Sequence, residues 1–388
     1  MSSTSSIVRK GLATAVISVA GVAIASGAFA DIKIGFHAPL TGFAAGDGKS
    51  ARIAAELAIE QVNAAGGING EKLELVIYDD QAKANQAVPI ARKLLGQDGV
   101  KIAISGSYSG PTRAAAGIFQ EAGIPYVSAF AVHPDITRAG NYVFRTSFMG
   151  EVQGRGGAKL VGDVMGKKRV SIINLANDFG ASLNTGFKSA AKQFGIEIVG
   201  EYSYKISDRQ FGPIVASVKK DNPDAIYASG YFFTAGPLVS QLRAGGIKAA
   251  IIGQEGYDSQ IFIEIAKAAA EGVVITTSLN RDSTNPETQS FIADFEKKAG
   301  FKSDMVAAST HTAFKVVAAA LKKAGAKDPA KLRDAIAATK NLVVSTGSIS
   351  FNQLGEVTKA IQAQVVKDGN WHYFATIDDP VLLAPPSK

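Results

Sequence analysis

Short apolar runs and helix-length segments take turns along most of this chain, and that alternation restricts the folds open to it more than any single motif does. "DIKIGFHAPL" (31–40) reads as a strand broken at Pro39, and "TGFAAGDGKS" (41–50) as a small-residue loop. "ARIAAELAIEQVNAAGG" follows with Ile53, Leu57 and Val62 near one face and Gly66 as its stop, which predicts a helix. "KLELVIYDD" (72–80), "VKIAIS" (100–105) and "IPYVSAF" (124–130) are strands, separated by the helical stretches "NQAVPIARKLLGQDG" and "PTRAAAGIFQEAG". The pattern restarts at "RVSIINL" (169–175), runs through "IEIVGEYSY", "DAIYASG" (224–230) and "AAIIG", and closes at "GVVITTS" (272–278). Strands alternating with helices give an α/β fold with parallel-rich sheets covered on both faces. Two such sets of similar size predict two lobes. Three consecutive helices in 286–339 and the short strands "GSISF" and "AIQAQVVKDGNWHYF" end the chain. No Pro/Gly/Ser-rich linker separates the sets, so short, tight crossings join them.

The first thirty residues differ from the rest. Arg9 and Lys10 stand without an acid, "GLATAVISVAGVAIASG" is apolar and uncharged, and "AFA" precedes Asp31. This is the pattern of a secretory signal peptide over residues 1–30, with cleavage after Ala30 and export to the periplasm. No cysteine occurs anywhere, which excludes disulfides, thiolate nucleophiles, cysteine metal sites and a lipoprotein anchor. The net charge is +7, but lysines and arginines are dispersed among acids. No basic stripe of the kind that binds nucleic acid is present, so no nucleic-acid partner is expected.

Catalytic signatures fail one by one. "GSYSG" has Tyr108 where a nucleophile elbow needs serine. "GDVMGKK" (162–168) is one residue short of a phosphate loop, and "GRGGAK" (154–159) lacks the third glycine of a dinucleotide fingerprint. His37, His133, His311 and His372 have no metal-ligand spacing. The adjacent acids of "YDD" (78–80) face opposite sides of a strand. The expectation is no enzyme, no metal and no cofactor.

Strand ends are more informative, because ligands of open α/β sheets bind beyond the carboxyl ends of strands. In "SGSYSG" (105–110) a buried strand runs directly into a helix. Ser109 is placed to cap that helix, with Pro111 in its first turn. The helix start exposes unpaired N–H groups and suits a carboxylate. The turn is therefore either a cradle for a small anionic group or a plain helix cap.

The segments "IKIGFHAPLTGFAA", "AIEQVNAAGGINGEKLELVIYDDQ", "SGSYSGPTRAAAGIFQEAGIPYVS", "YVFRTSF", "NDFG" (177–180) and "GQEGYDS" (253–259) resemble the periplasmic branched-chain amino acid binding proteins of ABC importers over essentially the whole mature chain. That resemblance implies a type I periplasmic-binding fold, two Rossmann-like lobes joined by three hinge strands, and a monomer. It places lobe 1 at 31–148 and 279–355 and lobe 2 at 149–278 and 356–388, with crossings near Phe148, Leu279 and Glu356. It further implies that Ser109, with Ser107 and Tyr108 beside it, binds a ligand carboxylate. Tyr231 would lie over the ligand, Glu255 would pair with its ammonium, and Phe179 would form an apolar wall. In the stretch "SAFAV", Phe130, Ala131 and Val132 occupy a strand end where the family usually offers a hydroxyl. That departure leaves two ligand classes in view. One is an apolar amino acid such as leucine, isoleucine or valine; the other is an aromatic carboxylate, another small organic acid or an amide. An inner-membrane ABC permease is the implied partner. A periplasmic receptor for a membrane sensor and a secreted hydrolase are the competing functions.

Overall fold

The computed structural model describes residues 1–5 and 31–386. The cleavage site after Ala30 and residues 6–30 of the expected signal peptide lie outside the described residues.

Five parallel strands, β1 (Ile32–Ala38), β2 (Leu73–Asp79), β3 (Ile102–Ser105), β4 (Tyr126–Ser128) and β5 (Val143–Arg145), form the first sheet in the order β2-β1-β3-β4-β5. Helices α1 (Ala45–Ala64), α2 (Ala84–Gly96) and α3 (Ser109–Glu121) connect them. Ile102 to Ser105 is buried at every position, as a parallel strand covered on both faces requires. The chain then builds a second sheet. Helix α4 (Gly150–Lys159) leads to β6 (Arg169–Leu175), and α5 (Asp178–Ala191) to β7 (Glu197–Tyr204). Helix α6 (Gly212–Asp221) precedes β8 (Ala225–Ala228), α7 (Phe232–Ala244) precedes β9 (Ala250–Gly253), and α8 (Gln260–Ala266) precedes β10 (Val274–Thr277). Helices α9 (Pro286–Ala299), α10 (Met305–Ala324) and α11 (Pro329–Ala337) follow; α9 and α10 pack on α1. Strands β11 (Leu342–Val344), β12 (Gly347–Phe351) and β13 (Val357–Thr358) make a small antiparallel sheet. The hairpin of β14 (Ile361–Lys367) and β15 (Asn370–Ile377) joins the second sheet, whose order is β15-β14-β10-β9-β8-β6-β7.

The chain passes between the two sheet systems three times: after β5, after β10, and between β13 and β14, the last lying just beyond Glu356. Two of these passages are tied together. Arg145, fully buried, donates from Nη2 and Nε to the two carboxylate oxygens of Glu356 at 2.9 and 3.0 Å. Arg281, at the second passage, binds Asp258 and donates to the Gln364 side chain at 2.7 Å.

Residues 41–50 are not a loop. A short 3-10 turn covers Gly42–Ala44, and α1 already begins at Ala45. The small residues serve close packing: a Cβ on Gly48 would lie 2.0 Å from the Pro39 carbonyl oxygen. Tertiary contact overrides a loop-like composition here. The failed motifs are likewise accounted for. "GRGGAK" lies inside α4, and Leu160–Val164 continues it as a π-helical turn. The two acids of "YDD" diverge. Asp79 accepts from the Leu40 and Gln81 backbone N–H groups, whereas Asp80 lies 2.6 Å from His37 Nδ1. His37 is a fully buried structural residue, its Nε2 held 2.6 Å from the Tyr126 hydroxyl.

Candidate functional site

In both large sheets the strand order reverses beside the first strand of the set, at β1/β3 in one and β6/β8 in the other. A crevice opens at such a point, beyond the strand ends. The two crevices face each other and share one cavity. From the first sheet's side come Tyr108 and Ser109 at the end of β3, Phe130 and Ala131 at the end of β4, and Asp47 at the start of α1. From the other side come Phe179 after β6, Tyr231 after β8, and Glu255, Gly256 and Asp258 after β9. Met305 and Val306, the first residues of α10, complete the lining. Ser107 and Val132 are fully buried neighbours that do not line the cavity.

Each group is set by local structure. Helix α3 begins at Ser109 itself, and its N-cap is Tyr108, which makes no side-chain cap bond. Ser109 is thus not the helix cap that its sequence position suggests. Its hydroxyl instead accepts from the Val132 N–H at 3.3 Å and ties the ends of β3 and β4 together. The reason is register: the strand stops at Ser105, and the extended residue before the helix is Tyr108. Arg145 holds the second of these turns, donating to the Ala131 and His133 carbonyls at 3.0 Å each. Across the cavity, Asn177 caps α5 by accepting from the Gly180 N–H at 2.9 Å, which fixes Phe179. A Cβ on Gly256 would meet the Gly230 carbonyl oxygen at 2.1 Å. Only glycine lets the Glu255 turn lie against the Tyr231 turn.

Aromatic rings close the space. Tyr108 stacks on Tyr231 with centroids 4.2 Å apart and planes within 2°. Phe179 stacks against Tyr231 with centroids 5.0 Å apart, and Phe130 meets Tyr108 edge-on at 6.5 Å. The room left among them is ≈ 20 Å³, about that of one water and far below the roughly 300 Å³ or more of a small-molecule site.

The polar groups carry opposite preferences. Helix α3 starts at the cavity-lining Ser109, which puts the partial positive charge of its N-terminus beside the cavity. Glu255 is 3% exposed and accepts from Ser147 Oγ at 3.3 Å. Burial pushes its carboxyl up to about 8, opposed by the Lys359 charge and the Ser147 hydrogen bond. Asp47 accepts a 2.6 Å hydrogen bond from the Tyr108 hydroxyl, and burial pushes it up to about 7. Such an arrangement can neutralise a carboxylate at one end and a hydrogen-bond donor or cation at the other, in surroundings where each charge needs a partner. Among the described residues no cluster of three or more His, Asp or Glu side chains has the arrangement of a metal site.

Asp47, Asp258, Met305 and Val306 are lining residues that the sequence does not single out. Asp258 lies inside the quoted "GQEGYDS", but Asp47 was hidden in a stretch that looks like loop, and Met305 and Val306 arrive from a helix distant in sequence.

Two α/β lobes with facing strand ends and a shared, closable cavity define a two-lobed ligand-binding protein. The comparisons give that class its family: residues 31–370 match the family model described as periplasmic binding protein, and the chain belongs to that family. It is 31% identical, over 93% of its length and 95% of the relative's, to the leucine-, isoleucine-, valine-, threonine- and alanine-binding protein of Pseudomonas aeruginosa. Among solved structures it is similar to the branched-chain amino acid transporter substrate-binding protein of Streptococcus pneumoniae in complex with isoleucine. There the TM-score is 0.83, with 27% identity, over 89% of this chain and 99% of that one. A solute-binding protein of an ABC transporter from Rhodopseudomonas palustris, in complex with 3,4-dihydroxybenzoic acid, matches with TM-score 0.81 and 25% identity, over 90% of this chain and 97% of that one. No helix among the described residues is long and apolar enough to cross a membrane.

Proposed function

We propose that this chain is the solute-capturing component of an ABC importer, taking an apolar amino acid of the leucine, isoleucine and valine class between its lobes. It works as a monomer in the periplasm after removal of residues 1–30, and the closed form is handed to an inner-membrane permease. Its lobes are 31–148 with 279–355 and 149–278 with 356–388. The observation that carries this reading is the pairing, inside one apolar cavity, of a helix start at Ser109 with the buried carboxylate of Glu255. An α-carboxylate meets the first and an α-ammonium the second, while Phe130, Phe179 and Tyr231 hold the apolar side chain. The names of the relatives support the same class.

One observation favours a second ligand class, the aromatic carboxylates. The cavity walls are aromatic on both sides, and a flat ring could take the place of one member of the Tyr108–Tyr231 stack. A thermal-shift screen of the chain from Asp31 onward separates the two. A ligand at 100 times its dissociation constant stabilises the folded state by about 2.7 kcal/mol. A shift with leucine, isoleucine or valine is the expected result. A shift with benzoates alone keeps the transport role and replaces the ligand class.

A further inference from the structure

Lys359 lies on the third passage between the lobes, after β13 and before β14. It is only 8% exposed, and its Nζ is buried with no hydrogen-bond partner among the described residues. The ammonium sits over the Phe148 ring, 4.8 Å from the centroid, beside the first passage. Burying a bare ammonium is costly unless a charge of opposite sign answers it. The carboxylate whose charge acts on it is Glu255, which is bonded to Ser147, next to Phe148. The two do not touch within hydrogen-bond distance, so their attraction acts across a gap.

We infer that Lys359 is a specificity-determining residue of the binding site, the protein's own counter-charge for Glu255, competing with whatever cation a ligand brings. This rests on Glu255 being the ammonium partner in the reading above. With Lys359 present, Glu255 is answered before any ligand arrives, and the pair is electrically neutral as a unit. An acid with no amino group is then tolerated beside Glu255, and an amino acid gains less from its ammonium. Without Lys359, the carboxylate is answered by a proton or by the ligand's cation. The other charged groups facing Glu255 do not change this. Asp258 is bound by Arg281, and Arg145 is bound by Glu356. Burial pushes Glu255 up and Lys359 down, and the charge of each opposes the shift of the other.

The test is calorimetric titration at pH 8 with leucine and with 4-methylpentanoate, the same skeleton without the amino group. In Lys359→Met the ratio of the two dissociation constants moves at least tenfold toward leucine, and Lys359→Arg keeps the wild-type ratio. A ratio in Lys359→Met within twofold of wild type overturns the inference. If the wild type binds neither compound, the amino-acid reading fails separately. The inference is then decided on the free protein by the carbon-13 signal of the Glu255 carboxyl, whose titration midpoint rises by at least one pH unit in Lys359→Met; an unmoved midpoint overturns it. Should Lys359→Met not fold, Glu255→Gln serves instead. The midpoint of the Lys359 amine falls in that variant, and an unchanged midpoint overturns the inference.

Discussion

The turn after β3 and the turn after β9 both lie at strand ends facing the cavity, the first beside its sheet's reversal point and the second one strand further out, and they differ in what they offer. The β3 turn offers backbone: it runs straight into the 13-residue helix α3, whose first N–H groups need an acceptor. The β9 turn offers a side chain: Glu255 projects a carboxylate that has one hydroxyl donor and, among the described residues, no cation in salt-bridge contact. In the proposed reading, a strand end where a helix begins at once takes the ligand's anion, and a strand end where an acid interrupts the connection takes its cation. The lobes differ in support as well. Arg145 braces the wall that carries Phe130 from behind, whereas Glu255 is balanced at a distance by Lys359.

This contrast breaks most visibly at Glu255. Glu255→Gln weakens leucine binding at least tenfold, about 1.4 kcal/mol, while an acid without an amino group loses little. Calorimetry with both compounds checks it, and equal losses would remove Glu255 from the ammonium site. Ser109→Ala has a smaller effect, about 1 kcal/mol on every carboxylate ligand, the worth of one hydrogen bond. Tyr108 rather than Ser109 is the N-cap, but Ser109→Ala leaves the buried Val132 N–H without its acceptor, so the melting temperature of the free protein also falls. A lower melting temperature with unchanged affinity would return Ser109 to a purely structural role.

The smallest effect sharpens the comparison through pH. Burial raises the Asp47 carboxyl in the folded protein to about 7, above its unfolded value, so the folded state binds the proton more tightly. That contribution to stability is fully present below the unfolded value, near pH 4, and is lost as pH rises through about 7. Asp304, raised to about 6 by burial, adds to the same slope. Asp47→Asn therefore flattens, without abolishing, the fall in stability between pH 4 and pH 7. Denaturant melts at several pH values read this directly, and an unchanged slope would mean that Asp47 does not titrate there.

The relation between sequence and structure is uneven across the site. Tyr108, Ser109, Phe179, Tyr231 and Glu255 all lie at strand ends, and the strand-to-helix changes that mark those ends are visible as an abrupt switch from apolar runs to small and polar residues. Asp47 was not legible, because glycines and alanines packed against Pro39 have the composition of a loop. The capping role read for Ser109 failed by one residue, since helix boundaries are set by hydrogen bonds and not by side-chain type alone. Lys359 carries no signal at all. A lysine after a short strand looks like surface, and only the return of the chain across the cleft buries it beside Phe148.

By itself the sequence determined the alternation of strands and helices, hence the parallel sheets and the two lobes, because periodic burial of apolar side chains is a local property of the chain. It also determined which turns end strands. Only the tertiary structure decided which of those turns meet. The Tyr108–Tyr231 stack, the Asp47–Tyr108 hydrogen bond and the approach of Lys359 to Glu255 join residues from 61 to more than 100 positions apart, on separate elements of the fold. Charge and ring contacts act over a few ångströms of space, and no spacing along the chain encodes such distances.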